Sequence, residues 1–189
     1  MATKCIFERF SFIYIGELVL DVFEAVKTRR SIRKYADTPV EKDKLLKVLE
    51  AARLSPSANN NQPWQFIVVS DKNARERLLQ SYTREWFVKA PVIIVACSYP
   101  DEAWTRMDGV NYWTVDSAIA VENMMLVAHE AGLGTCWIGA FDEAKVKKVL
   151  AIPKEVRVIA MFPLGYPAEE KGEVTDRKSL NEIIHYERW

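Results

Sequence analysis

Leu45, Val48, Leu49 and Ala52 recur at i, i+3, i+4 and i+7, which predicts a helix over Lys42–Leu54 with one buried face, ended by Pro56. Ahead of it, Val22, Phe23 and Val26 mark one side of a first helix over Asp21–Lys27. Two apolar runs, Gln65–Ser70 and Ala90–Cys97, predict strands. The second, APVIIVAC, has no polar alternation, so it reads as a central strand covered on both faces. Between them Ser70 and Asp71 are candidate N-caps for a surface helix over Asn73–Tyr82. Val115–Ala131 predicts a long helix that is apolar on most sides. One small domain cannot cover such a helix alone, so it is expected in a homodimer interface. Gly132 and Gly134 are expected to end it and turn the chain. Thr135–Phe141 then crosses back, and Gly139 in its middle marks either a bulge or a close approach of the backbone to a flat group. Asp142 caps a short helix to Leu150, and Val156–Pro163 is the last core strand. Beyond Gly165-Tyr166-Pro167 the tail regains amphipathic spacing at Leu180, Ile183 and Ile184 and is expected to reach another surface.

A chain of 189 residues, 49% of them hydrophobic, supports one core, read as a single domain over 20–189. Residues 1–19 are read as an apolar arm that packs on the body or on a partner. Glu8, Arg9 and Glu17 interrupt it, leaving too short a run to span a bilayer. The 26 basic and 26 acidic residues cancel, so no global field draws the chain to nucleic acid or to a membrane. Cys5, Cys97 and Cys136 have neither metal-ligand spacing nor an even count. Reduced thiols and a cytoplasmic location are the expectation.

The candidate chemistry lies in two polar stretches. Thr28–Tyr35, TRRSIRKY, gathers Arg29, Arg30 and Arg33 around Ser31 just past the first helix. Guanidinium forks and a hydroxyl suit phosphate oxygens. The helix macrodipole alone also favours cations at that end, so the cluster by itself leaves both readings open. Ser55–Trp64, SPSANNNQPW, is an uncharged loop feeding a buried strand. Its amides both donate and accept, which fits the edge of a planar heterocycle. Tyr99–Thr114, with Trp104, Met107, Tyr112 and Trp113, reads equally as a lid over a site or as rings capping the core. His129, near the end of the long helix, reads as an end-of-helix donor rather than a base.

TRRSIRKY, LEAARLSPSANNNQPWQFIVV, HEAGLGTCWIGAF, FPLGYP and DRKSL, in that order, resemble the FMN-dependent nitroreductase family over nearly the whole chain from Leu20. The resemblance implies an α+β fold, a three-layer α/β/α arrangement around a central, mainly antiparallel sheet. It further implies a domain-swapped homodimer with exchanged tails and two FMN sites at the subunit interface. By the same resemblance Arg29, Ser31 and Arg33 match the flavin-binding arm, and Arg30 stands where relatives carry a basic or imidazole group. Asn60 matches the amide near the pyrimidine edge, and Ser57 and Gln62 share its loop. Ile138 and Gly139 match the backbone approaching the isoalloxazine, and Arg177 matches the second phosphate arginine. Thr175 stands where many relatives carry a lysine, which shifts the expected phosphate contact toward Arg29 and Arg177.

The implied activity is NAD(P)H-dependent reduction of nitroaromatics, quinones or similar small acceptors by ping-pong hydride transfer. The lack of a Ser-His-Asp set, a Cys-His pair or a GxGxxG loop agrees with a flavin that does the redox chemistry in one shared site. Oxygen-dependent flavin fragmentation and reductive dehalogenation are rivals with similar flavin contacts. A non-catalytic flavin-binding protein is a rival of another class.

Overall fold

The computed structural model describes residues 21–189; the apolar arm read over 1–19 lies outside them. Four strands form one sheet: β1 (Trp64–Val69), β2 (Val92–Ser98), β3 (Gly134–Thr135) and β4 (Arg157–Gly165), in the order β1-β2-β4-β3. Every pairing is antiparallel. The register of β1 on β2 runs from Trp64 opposite Ser98 to Val69 opposite Ile93. All seven residues of β2 are buried, as its unbroken apolar run requires.

Alternate residues of β2 feed two cores. Val92, Ile94 and Ala96 face Ala120, Val121 and Met124 of helix α5 (Trp113–Glu130) and Val48 and Ala52 of α2 (Lys42–Arg53). Ile93, Val95 and Cys97 face the opposite layer. There Leu78, Phe87 and Val146 come from the turns and short helices α3 (Lys72–Arg77), α4 (Glu85–Lys89) and α6 (Glu143–Leu150). The result is the expected α/β/α layering, with α1 (Val22–Thr28) against α5 and a one-turn helix α7 (Leu180–Ile183) in the tail.

Asp71 and Asp142 cap α3 and α6 through Oδ1, accepting from Ala74 N at 2.8 Å and Lys145 N at 3.1 Å. The α-helical part of the segment expected to run to Tyr82 stops at Arg77 and continues as a 3-10 turn over Leu78–Gln80. Helix α4 has no counterpart in the sequence reading, and its rings pack edge to face, Tyr82 on Phe87 at 5.5 Å between centroids. The crossing expected over Thr135–Phe141 is a strand only at Gly134–Thr135, plus a single bridge between Ile138 and Met161. Among the described residues no helix is long and apolar enough to cross a membrane.

Candidate functional site

The site begins where α5 ends. Gly132, at φ 77°, takes the left-handed turn after Ala131, with Gly132 N donating to His129 O at 3.0 Å and Leu133 N to Ala128 O at 2.8 Å. Gly134 does not turn the chain; it opens β3 and leaves room for Ile32. A Cβ there would meet Ile32 Cγ1 at 2.7 Å. That gap lets the arginine arm dock, with Ser31 bridged to Thr135 and Ile32 N donating to Thr135 O at 2.9 Å.

The chain leaving β4 runs along the arm's other side. Ala36 N donates to Tyr166 O and Ala168 N to Lys34 O, both at 2.9 Å, and Glu169 Oε1 accepts from Arg33 N at 2.6 Å. The arm is thus held between β3 and the tail, and one cavity of about 410 Å³ opens along it. Arg29, Arg30, Ser31, Arg33, Lys171 and Arg177 line that cavity, against one carboxylate, Glu173. The two stretches of basic sequence, over a hundred residues apart, therefore meet in one chain.

The arginines divide the work. Arg30 donates from Nε to Gly172 O and from Nη1 to Lys27 O and Arg29 O, each at 2.8 Å, so it clamps the tail to the end of α1. Arg29 has only a long ion pair, 3.9 Å to Glu122, and its Nη1 is buried with no partner among the described residues. A buried guanidinium donor without an acceptor is costly, and a phosphate oxygen would relieve it. Those residues fit a phosphate-bearing cofactor. Thr28 Oγ1 has one proton, directed to Glu24 O at 2.6 Å, so His129 Nε2, 2.8 Å away, is the donor to that oxygen. Burial, followed by the nearby Arg29 and Arg30, holds the His129 imidazole below its ordinary pKa.

Ile138 is buried, and its N–H and C=O are both paired with Met161, at 2.9 and 3.1 Å. Those two bonds hold this part of the chain against β4. Gly139 beside it is exposed, and a Cβ there would meet only the Trp137 indole nitrogen, at 3.5 Å. No fold contact demands glycine at that position.

Ser57, Asn60 and Gln62 lie at the other end of α5. Ala58 N donates to Asp116 Oδ1 at 3.0 Å, Gln62 N to Ser57 Oγ at 3.0 Å, and Asn61 Nδ2 to Glu102 O at 2.9 Å. Asp116 and His129 are thirteen residues apart on α5, about 20 Å at 1.5 Å per residue. One chain therefore keeps the polar loop and the arginine cavity well separated. The segment over Tyr99–Thr114 packs on itself: Trp104 meets Tyr112 edge to face at 4.9 Å, Arg106 binds both oxygens of Asp108 at 2.8 and 2.6 Å, and Met107 stands fully exposed. Tyr99 packs against the core on the Val95 side of the sheet, and Trp104 and Tyr112 brace the loop itself.

Sequence reasoning missed Lys171, hidden in a run of charges, and Asp116, whose one signal was an acid in the first turn of an apolar helix.

Comparison with known proteins agrees with this geometry. The profile of the Nitroreductase family matches residues 26–108 and 79–166. The chain is 39% identical over 175 residues to a Methanothermobacter thermautotrophicus protein provisionally named NADH dehydrogenase/NAD(P)H nitroreductase, covering 90% of this chain and 88% of that one. Among solved structures, a nitroreductase family protein of Clostridium difficile 630 superposes with a TM-score of 0.81 at 32% identity, over 87% of this chain and 97% of that one. An FMN-dependent nitroreductase of C. difficile R20291 gives 0.76 at 34% identity, over 87% and 98%.

Proposed function

The chain belongs to the nitroreductase family, and on that premise we propose that it reduces small oxidised acceptors, nitroaromatics and quinones among them, at a site shared between two copies. It is an NAD(P)H-dependent FMN oxidoreductase. When bound, FMN supplies two-electron transfer between pyridine nucleotide and acceptor, chemistry that no side chain here could supply. The chain's own residues bind, orient and balance charge.

Arg29, Ser31 and Arg177 hold the phosphate, with Lys171 supplying the cation that Thr175 lacks. Arg30 keeps the two halves of that cavity together. Asn60 holds the ring edge from a second copy, in a loop closed by Ser57 and Gln62, and the exposed backbone at Gly139, next to Ile138, leaves room for the ring face. The guanidinium of Arg33 favours any build-up of negative charge on the ring.

The observation that carries this reading is the convergence of positions 29–33 and 171–177 on one cavity, with a buried Arg29 donor lacking an acceptor. Support for the homodimer comes from the separation of the two half-sites along α5. It also comes from apolar side chains left open on α1 and α5, Val22, Phe23, Val115 and Ile119, and on the tail, Leu180, Ile183 and Trp189.

The test is an absorbance spectrum of the purified protein, before and after anaerobic addition of NADH or NADPH and then of a quinone. Bound flavin, bleaching by a pyridine nucleotide and return of colour with acceptor are expected, with parallel-line steady-state kinetics. Colourless protein that takes up no added FMN at micromolar concentration overturns the reading. Yellow protein that neither nucleotide bleaches restricts it to flavin binding.

A further inference from the structure

The polar loop concentrates backbone strain. Among the described residues five non-glycine positions have positive φ, and three of them, Asn59 at 53°, Asn60 at 58° and Gln62 at 51°, fall within four residues. Asparagine tolerates the left-handed region; glutamine does so at greater cost. Outliers persist only where the surroundings over-determine them, and they gather where geometry matters to a ligand.

Across residues 57–62 most of the bonds are the loop's own. Ser57 Oγ accepts from Gln62 N, and Gln62 Nε2 donates to Asn60 O at 3.0 Å. Asn61 reaches the neighbouring Glu102 carbonyl, itself on an exposed residue. Ser98 and Asn123 hold the ends of the loop, through Pro63 O at 3.1 Å and Ser55 Oγ at 2.7 Å. Its middle has one anchor from the core: Asp116, 1% exposed in the first turn of α5, which accepts the Ala58 N–H through Oδ1. A carboxylate can only accept, so it cannot present a donor to that N–H as an amide or hydroxyl could. Its Oδ2 is buried and finds no partner among the described residues. Burying a charge for one hydrogen bond is expensive, even with the helix N-terminus to offset it. Asn59 and Asn60 meanwhile are exposed, and their side-chain amides have no partner among the described residues.

We propose that Asp116 is a positioning residue: it pins Ala58 and thereby keeps Asn59 and Asn60 in left-handed conformations that present two free amides to the ring edge of the flavin. Asn59 joins Asn60 as a ligand-facing amide, while Asn61 and Gln62 are braces. The inference rests on the reading of the loop as the ring-binding half of the site.

Riboflavin, which has the ring without the phosphate, separates the two ends of the site when its affinity is compared with that of FMN by fluorescence titration of flavin-stripped protein. Asp116→Ala is expected to weaken both ligands by the same factor, about tenfold, leaving their ratio unchanged. Arg177→Ala is expected to weaken FMN alone. Asp116→Asn, which keeps a carbonyl acceptor, restores affinity to within about threefold of the parent. Equal affinity of Asp116→Ala and parent for riboflavin overturns the proposal, as does a loss confined to FMN.

Should Asp116→Ala not fold, Asn59→Gly carries the test. Glycine takes this φ freely, so the variant should melt no lower than the parent yet bind riboflavin more weakly. Parent-like riboflavin affinity, or a lower melting temperature, sinks the idea. A parent protein that binds neither flavin fails the functional reading itself, a result distinct from either outcome.

Discussion

At the scale of single residues, His129, which sits behind Arg29 and Arg30 and is bonded to Thr28, gives the arm a pH dependence. Its folded pKa lies below the ordinary 6.5, first through burial and then through Arg29 and Arg30. As pH falls through the window below 6.5, the unfolded chain takes up a proton that the folded chain resists. The stability present above that window is therefore lost on acidification. A bound phosphate would favour the protonated ring and reduce the loss. Between about pH 7 and about pH 5.5, the melting temperature of flavin-free protein should fall more than that of FMN-loaded protein, by differential scanning calorimetry, and His129→Gln should remove the difference. The carboxylates held low by their partners, such as Glu169 beside Lys171 and the Arg33 N–H, titrate below their usual 4.5 and do not enter this window. The basic cluster was legible from its spacing. That Arg30 spends its donors on Gly172 O, 142 residues away, was not, because a backbone carbonyl leaves no mark in sequence.

At the scale of elements, the docking of the arm on β3 depends on the missing side chain at Gly134. An added methyl would sit 2.7 to 3.0 Å from three carbons of Ile32, closer than any ordinary contact. Overpacking of this kind costs about 1–3 kcal/mol. Gly134→Ala should lower stability by that amount in urea titration and weaken FMN more than riboflavin, because the arm carries the phosphate contacts. Elements with a strong period were readable: α2 from its four-residue apolar stripe, and β2 from an apolar run that serves Ile94 on one face and Val95 on the other. Helix α4 was not, since Trp86-Phe87-Val88 is β-prone locally and becomes helical through packing of Phe87 and Val88 in the core that holds Ile93 and Val95. Residues 135–141 failed for a related reason. Their apolar run suggested a strand, but only Gly134–Thr135 and Ile138 find partners on β4.

At the scale of the whole molecule, α5 acts as a spacer with the polar loop at one end and the arginine cavity at the other. Sequence motifs singled out both ends but said nothing of the distance between them, which only the helix rise supplies. The tail's amphipathic spacing did point to another surface, whereas the apolar positions of α1 were invisible as an unmet surface until the fold was in hand. In the proposed dimer, each centre draws its arm from one subunit and its loop from the other. Two inactive proteins, one carrying Arg29→Ala and the other Asn60→Ala, would then rescue each other when unfolded together and refolded as a mixture. Hybrid pairs would each hold one wholly native centre and one doubly damaged one, returning about a quarter of the parent's activity from two preparations that have almost none alone.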